Sequence, residues 1–220
     1  MMWIQHVDAI DLIVKGLVIG MVVSAPMGPV GVLTVQRTLN KGRWYGFATG
    51  LGAAVSDVFY ALVTGLGMSF VMEFVERPRN MYVLQLTGAV MLFLFGCYTY
   101  RSNPVHAVHP VSGKRGTLFQ NGLTGFLVTL SNPLIVFLFV ALYARFAFVA
   151  PDHPMEMGMG YLAIVAGSLL WWYGLTYSIS KVRTRFDMRG VLWLNRIIGI
   201  VVMVFSALGF YFTLRGKSLY

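Results

Sequence analysis

Six apolar runs, each long enough to cross a bilayer as a helix, dominate this chain and make a bundle of membrane spans the expected fold. They extend over Leu12 to Leu39, Trp44 to Met72, Met81 to Tyr100, Thr117 to Tyr143, Met157 to Ser180 and Val191 to Leu214, and a spanning helix needs about 20 mostly apolar residues. The connections are short, so no soluble domain fits between the runs. Hydrophobic residues make up 57% of the 220 and charged residues only 11%, a balance typical of membrane proteins rather than soluble ones. Lys15, the apolar stretch after it and Ser24-Ala25 faintly resemble a cleavable leader. Asp8 and Asp11 precede Lys15, however, and apolar sequence resumes after Pro29, so this stretch is read as the first span.

Prolines support this division. Pro78, Pro104, Pro110, Pro151 and Pro154 fall between runs, whereas Pro26, Pro29 and Pro133 fall inside them. Proline lacks a backbone donor and clashes with the carbonyl four residues back, so Ser24-Ala25-Pro26-Met27-Gly28-Pro29 should break the first helix. Ser131-Asn132-Pro133 should break the fourth, at the matching place in the second half. Broken helices in lipid survive only where protein or a watery cavity covers them. Each half supplies three runs, an odd number, so the second half must enter from the opposite side. The expected architecture is all-α: one transmembrane domain over 1–220, built of inverted repeats at roughly 10–101 and 116–215.

Basic residues in short loops set the orientation. Arg37, Lys41 and Arg43 follow the first run, Arg101, Lys114 and Arg115 the third, and Lys181, Arg183, Arg185 and Arg189 the fifth. The other loops and termini hold Arg77, Arg79, Arg145, Arg215 and Lys217, so the first group is expected to be cytoplasmic and both termini outside. This arrangement is topological, not a nucleic-acid patch. His106 and His109 have no carboxylate near them in sequence and are read as solvated loop residues, leaving no metal site. Cys97 is the only cysteine, which excludes an internal disulfide or thiolate cluster.

Asp57 is the one acid deep within a span. A carboxylate at mid-bilayer costs about 2.5 to 3.5 kcal/mol on insertion scales, so it should face the bundle interior and find a partner or a proton. Helical spacing puts Gly50, Ala53, Ala54, Tyr60, Ala61 and Thr64 on its side, a small and polar surface. Lys15 and Arg196, near span ends, are read as headgroup anchors. Gly16 with Gly20 and Gly46 with Gly50 have the spacing of close helix packing, and Trp171 and Trp172 lie inside the fifth span.

The breaks offer complementary polarity. Half-helices that restart after Pro29 and Pro133 present unpaired N–H groups suited to an anion. The carbonyls just before each break, near Val22 to Ser24 and Val128 to Leu130, suit a cation or an ammonium group. A zwitterion matches both. Its carboxylate is expected at a half-helix N-terminus and its ammonium at carbonyls, with Ser24, Ser131 and Asn132 adding hydrogen bonds. Asp57 is expected to take up a proton on one side and release it on the other.

The ordered series Ala25-Pro26-Met27-Gly28-Pro29-Val30-Gly31, Gln36, Gly42-Arg43, Gly46, Gly50-Leu51-Gly52, Ser56-Asp57, Tyr60 and Gly65-Leu66-Gly67 resembles the first half of the lysine exporter (LysE/RhtB) family. Gly125-Phe126-Leu127 through Ser131-Asn132-Pro133 is similar to that family's second block. The resemblance implies six hydrophobic segments, a bacterial inner-membrane location and export of amino acids or related small solutes driven by the proton-motive force. It also implies that Pro26, Gly28, Pro29, Asp57, Asn132 and Pro133 occupy characteristic positions. Many relatives carry Pro-Gly-Pro followed by Asn or Asp, where this chain has Met27 inserted and Val30 following.

The expected function is therefore secondary export of an amino acid or similar metabolite, with protons, the small-molecule substrate and membrane lipid as partners. A homo-oligomer is left open. The alternative is a channel or a non-transporting membrane subunit. Neither a cofactor nor bond chemistry is expected, because the spans lack a nucleophile and base to pair.

Overall fold

The computed structural model describes residues 9–26, 28–69, 78–102, 116–132, 134–181 and 188–215. Among the described residues the regular structure is helical: α1 (Ala9–Ser24), α2 (Pro29–Lys41), α3 (Arg43–Ser69), α4 (Pro78–Arg101), α5 (Leu118–Leu130), α6 (Leu134–Phe146), α7 (Pro154–Lys181) and α8 (Met188–Leu214). Four stretches are singly long and apolar enough to cross a membrane: Arg43–Ser69, Tyr82–Arg101, Pro154–Lys181 and Leu192–Leu214. The first and fourth apolar runs are bent pairs instead, α1 meeting α2 at 78° and α5 meeting α6 at 72°. The spans number four, or up to six if each bent pair is one crossing.

Local chemistry explains the breaks. Pro26 has no amide hydrogen for the Val22 carbonyl, and α1 ends at Ser24. α2 restarts with Pro29 in its first turn, where a missing donor is harmless. α5 starts on a capping box, in which Thr117 Oγ1 accepts from the Gln120 N–H (3.1 Å) and Gln120 Oε1 accepts from the Thr117 N–H (3.0 Å). Gly42, at φ 111°, turns the chain between α2 and α3 with a backbone that side chains rarely adopt.

Small residues then bring helices backbone to backbone. A methyl group at Gly16 or Gly20 of α1 would overlap the carbonyls of Gly160 or Ile164 of α7, and one at Gly52 of α3 would overlap Gly122 of α5. Gly96 of α4 and Gly199 of α8 lie each against the other's carbonyl. The largest apolar cluster joins Leu12 and Ile19 of α1, Tyr60 of α3, Leu138 and Tyr143 of α6 and Ile164 of α7. Phe148, in the connection from α6 to α7, is fully buried and stacks on Tyr143 at 4.8 Å.

Two basic residues differ from their expected surroundings. Arg37 is not in a loop: it is buried on α2, and its Nη1 donates to Thr49 Oγ1 of α3 and to the Asn121 carbonyl of α5, both at 2.8 Å. Lys15, expected to reach the headgroups, is buried and ion-paired with Asp11 one helical turn away. Arg196 is exposed beside Trp193, as an anchor should be. Arg77, His106, His109, Lys114, Arg115, Arg183, Arg185 and Lys217 lie outside the described residues.

Candidate functional site

The two breaks and Asp57 border one cavity of about 580 Å³, a size within the range of small-molecule sites. Ser24, Pro26, Gly28 and Pro29 line it from the first break, Asp57 from the middle of α3, and Ser131 and Asn132 from the second break. Pro133 lies outside the described residues. The wall continues with Phe95, Tyr98 and Thr99 of α4, Leu138 of α6, Trp172 of α7 and Asn195 of α8. Chain segments more than a hundred residues apart thus meet around one space.

Asp57 is 3% exposed. Ser24, the last residue of α1, donates from Oγ to Asp57 Oδ2 at 3.0 Å. Ser168 Oγ of α7 stands 3.0 Å from Ser24 Oγ and donates to the Gly20 carbonyl at 3.2 Å. The carboxylate is thus tied by the Ser24 hydroxyl to α1, which Ser168 in turn ties to α7 through the Gly20 carbonyl, and among the described residues no cation forms an ion pair with it. A buried carboxylate without a cation is costly, so this group is poised to accept a proton or a cationic ligand. The helical face read from the sequence holds, since Gly50, Ala53, Ala54, Tyr60, Ala61 and Thr64 are all buried with Asp57.

The two breaks are not equivalent. At the second, Ser131 Oγ and N–H both donate to the Leu127 carbonyl (2.8 and 3.0 Å), the Asn132 N–H donates to Thr129 O (3.0 Å), and Tyr60 Oη donates to Leu130 O (2.6 Å). Asn132 Oδ1 accepts from the Leu134 N–H at 3.2 Å and so caps α6. Ser131 Oγ and Asn132 Oδ1 are thus engaged with neighbouring backbone, while both residues border the cavity. At the first break, Gly28 is the N-cap of α2 and supplies no side-chain cap. A methyl group placed on Gly28 meets nothing within 4 Å, so the start of α2 is open.

Sequence reasoning placed Ser24, Asp57 and both breaks but missed Ser168, Thr99 and Asn195. Ser168 had a signal: it shares a helical stripe with Gly160, Ile164 and Gly167, the face of α7 against α1. Of the two tryptophans, Trp172 lines the cavity, while Trp171 packs with Ala25 and Ile198.

Comparison with known proteins agrees with this picture. The chain is 29% identical over 210 residues to the Bacillus subtilis (strain 168) protein named "Putative amino acid efflux protein YcgF", covering 94% of this chain and 97% of that one. It is 28% identical over 182 residues to the "Uncharacterized membrane protein YahN" of Escherichia coli (strain K12), covering 79% and 78%. No solved structure matches. The model of the LysE type translocators matches residues 21–213, and with that coverage the chain belongs to the LysE translocator family, whose members are membrane transporters and not enzymes.

Proposed function

We propose that this translocator is a secondary exporter of amino acids or related small metabolites in the bacterial inner membrane, exchanging substrate for protons. The observation that carries the proposal is the convergence of the first helix break, the second helix break and Asp57 on one cavity. The name of the Bacillus relative supports the substrate class.

In this reading the substrate carboxylate sits at the uncapped start of α2, where the Val30 and Gly31 N–H groups lie in the first turn. The ammonium group lies toward Asp57, Ser24 and the last carbonyls of α1. Asp57 holds either a proton or the ammonium, never both, and this competition couples the two flows. Pro26, Pro29 and Pro133 keep the breaks open, and Ser131 and Asn132 hold the second break in shape rather than contacting the ligand.

The packing register supports inverted repeats. On α1 and α7 the contacts run Gly16 with Gly160, Gly20 with Ile164, and Gly20 O with Ser168 Oγ. On α5 and α3 they run Gly122 with Ala48, Gly122 and Phe126 with Gly52, and Phe126 O with Ser56 Oγ (2.8 Å). In both series the partner helix advances by one turn per contact, Gly160, Ile164 and Ser168 on α7 and Ala48, Gly52 and Ser56 on α3, as expected if α1–α7 and α5–α3 are related by a two-fold axis. In this reading each bent pair is one crossing, which makes six spans, and the loop charges support an external placement of both termini.

Reconstituted vesicles loaded with labelled amino acids test the function. Efflux that accelerates when a pH gradient is imposed, and loses that response in Asp57→Asn, supports it. Steady conductance without dependence on the gradient would instead identify a channel.

A further inference from the structure

The charge inventory of the cavity narrows the substrate class, given the exporter reading above. Of the described residues that line it, Asp57 alone carries a formal charge; no Lys, Arg, His or second carboxylate among them borders the space. A charge taken into such a site needs a partner there, because an unpaired buried ion loses its hydration without recompense. A zwitterion is accommodated, its ammonium at Asp57 and its carboxylate at the start of α2. A dibasic amino acid brings a second ammonium with no second carboxylate to meet it. A dicarboxylic amino acid brings a second anion into a site whose only charged side chain among the described residues is negative.

The remainder of the wall is suited to hydrocarbon. Phe95 of α4, Leu127 of α5, and Ile135 and Leu138 of α6 face the cavity. Trp172 closes the α7 side and is held there firmly. Its indole packs on Ala53 and Ala54 of α3 and lies directly over Gly50, where an added methyl would come within 2.6 Å of its Cγ. Trp172 is 2% exposed, so its neighbours fix it in place where it borders the cavity.

We propose that the cavity selects zwitterionic amino acids with an uncharged, largely apolar side chain, and that Trp172 is the residue that sets the upper size.

The test uses the intact protein in vesicles with labelled leucine, phenylalanine, lysine and glutamate offered singly at equal concentration under an imposed pH gradient. The proposal expects leucine or phenylalanine to move at least about tenfold faster than lysine and glutamate, a ratio equivalent to one unpaired charge costing a little over 1 kcal/mol. Lysine or glutamate moving as fast as the neutral pair overturns this proposal and leaves the exporter reading standing. Movement of none of the four overturns both. Trp172→Phe, which keeps an aromatic ring, should retain transport while shifting preference toward phenylalanine over leucine. Gly50→Ala, which pushes the indole toward the cavity, should shift it the other way. If both variants fold, as judged by monodisperse elution in detergent, and keep the wild-type preference, Trp172 does not set the size limit. If either fails that check, leucine and phenylalanine as competitors of each other's transport by the wild-type protein, with bulkier naphthylalanine expected to be excluded, decide the point.

Discussion

Ser24 Oγ donates to Asp57 Oδ2 across 3.0 Å, joining the last residue of α1 to the middle of α3. The helix break and the deep carboxylate are therefore one unit: any change in the occupancy of the carboxylate is felt first at the end of α1. Ser168 extends the unit to α7.

Ser24→Ala should lower the initial rate of proton-driven transport by roughly tenfold, because a hydrogen bond to a carboxylate contributes about 1.5–3 kcal/mol. The protein should still fold, since Ser168 keeps its bond to the Gly20 carbonyl. Initial rates in vesicles over a series of pH gradients check this, and an unchanged rate would separate Ser24 from the coupling.

Arg37 ties α2 to α3 and α5 through a single nitrogen. Arg37→Ala should destabilise the protein by about 2–3 kcal/mol, the scale of losing charge-assisted hydrogen bonds and leaving a buried acceptor. Arg37→Lys should restore only part of this, since the lysine nitrogen sits on a shorter stem and falls short of the position from which Arg37 Nη1 reaches both acceptors. Denaturant or thermal unfolding in detergent, followed by circular dichroism, measures both.

Gly52→Ala should cost about 1–3 kcal/mol by forcing α3 off α5, because its added methyl falls on the Gly122 carbonyl. Gly67→Ala, on the same helix with nothing within 4 Å of the added methyl, should be neutral or slightly stabilising. The contrast between the two melting temperatures isolates the packing effect from the helix propensity of alanine.

Asn132→Ala should remove the cap of α6 at a cost of about 1 kcal/mol, and Asn132→Ser should recover most of it. If Asn132 serves as a cap rather than as a ligand contact, as proposed above, both variants should leave the apparent affinity for substrate within about twofold, a difference worth some 0.4 kcal/mol. A large fall in affinity with unchanged melting temperature would place Asn132 against the ligand instead.

The features legible in the sequence were those that depend on periodicity or on backbone chemistry. Pro26, Gly28 and Pro29 announce a break because no helix carries them unaltered, and the small residues one turn either side of Asp57 reveal which face turns inward. Features that depend on a distant partner were hidden. Arg37 reads as a loop charge until Asn121, remote in sequence, is seen to accept its hydrogen bond. Lys15 reads as an anchor until the α1–α7 contact encloses it. Asn132 has the same letter in the sequence whether or not its Oδ1 accepts from the Leu134 N–H, and only coordinates reveal that bond.

The glycine contacts have a mechanical consequence. With α1 pressed to α7 through Gly16 and Gly20, and α3 pressed to α5 through Gly52, each pair is in backbone contact at these points. If the exporter reading holds, each pair is expected to move as one block, and a cycle that exposes the cavity first to one face and then to the other would tilt one block against the other. The pivots expected for such rocking are the 78° and 72° elbows, the places where the helical rods are already interrupted.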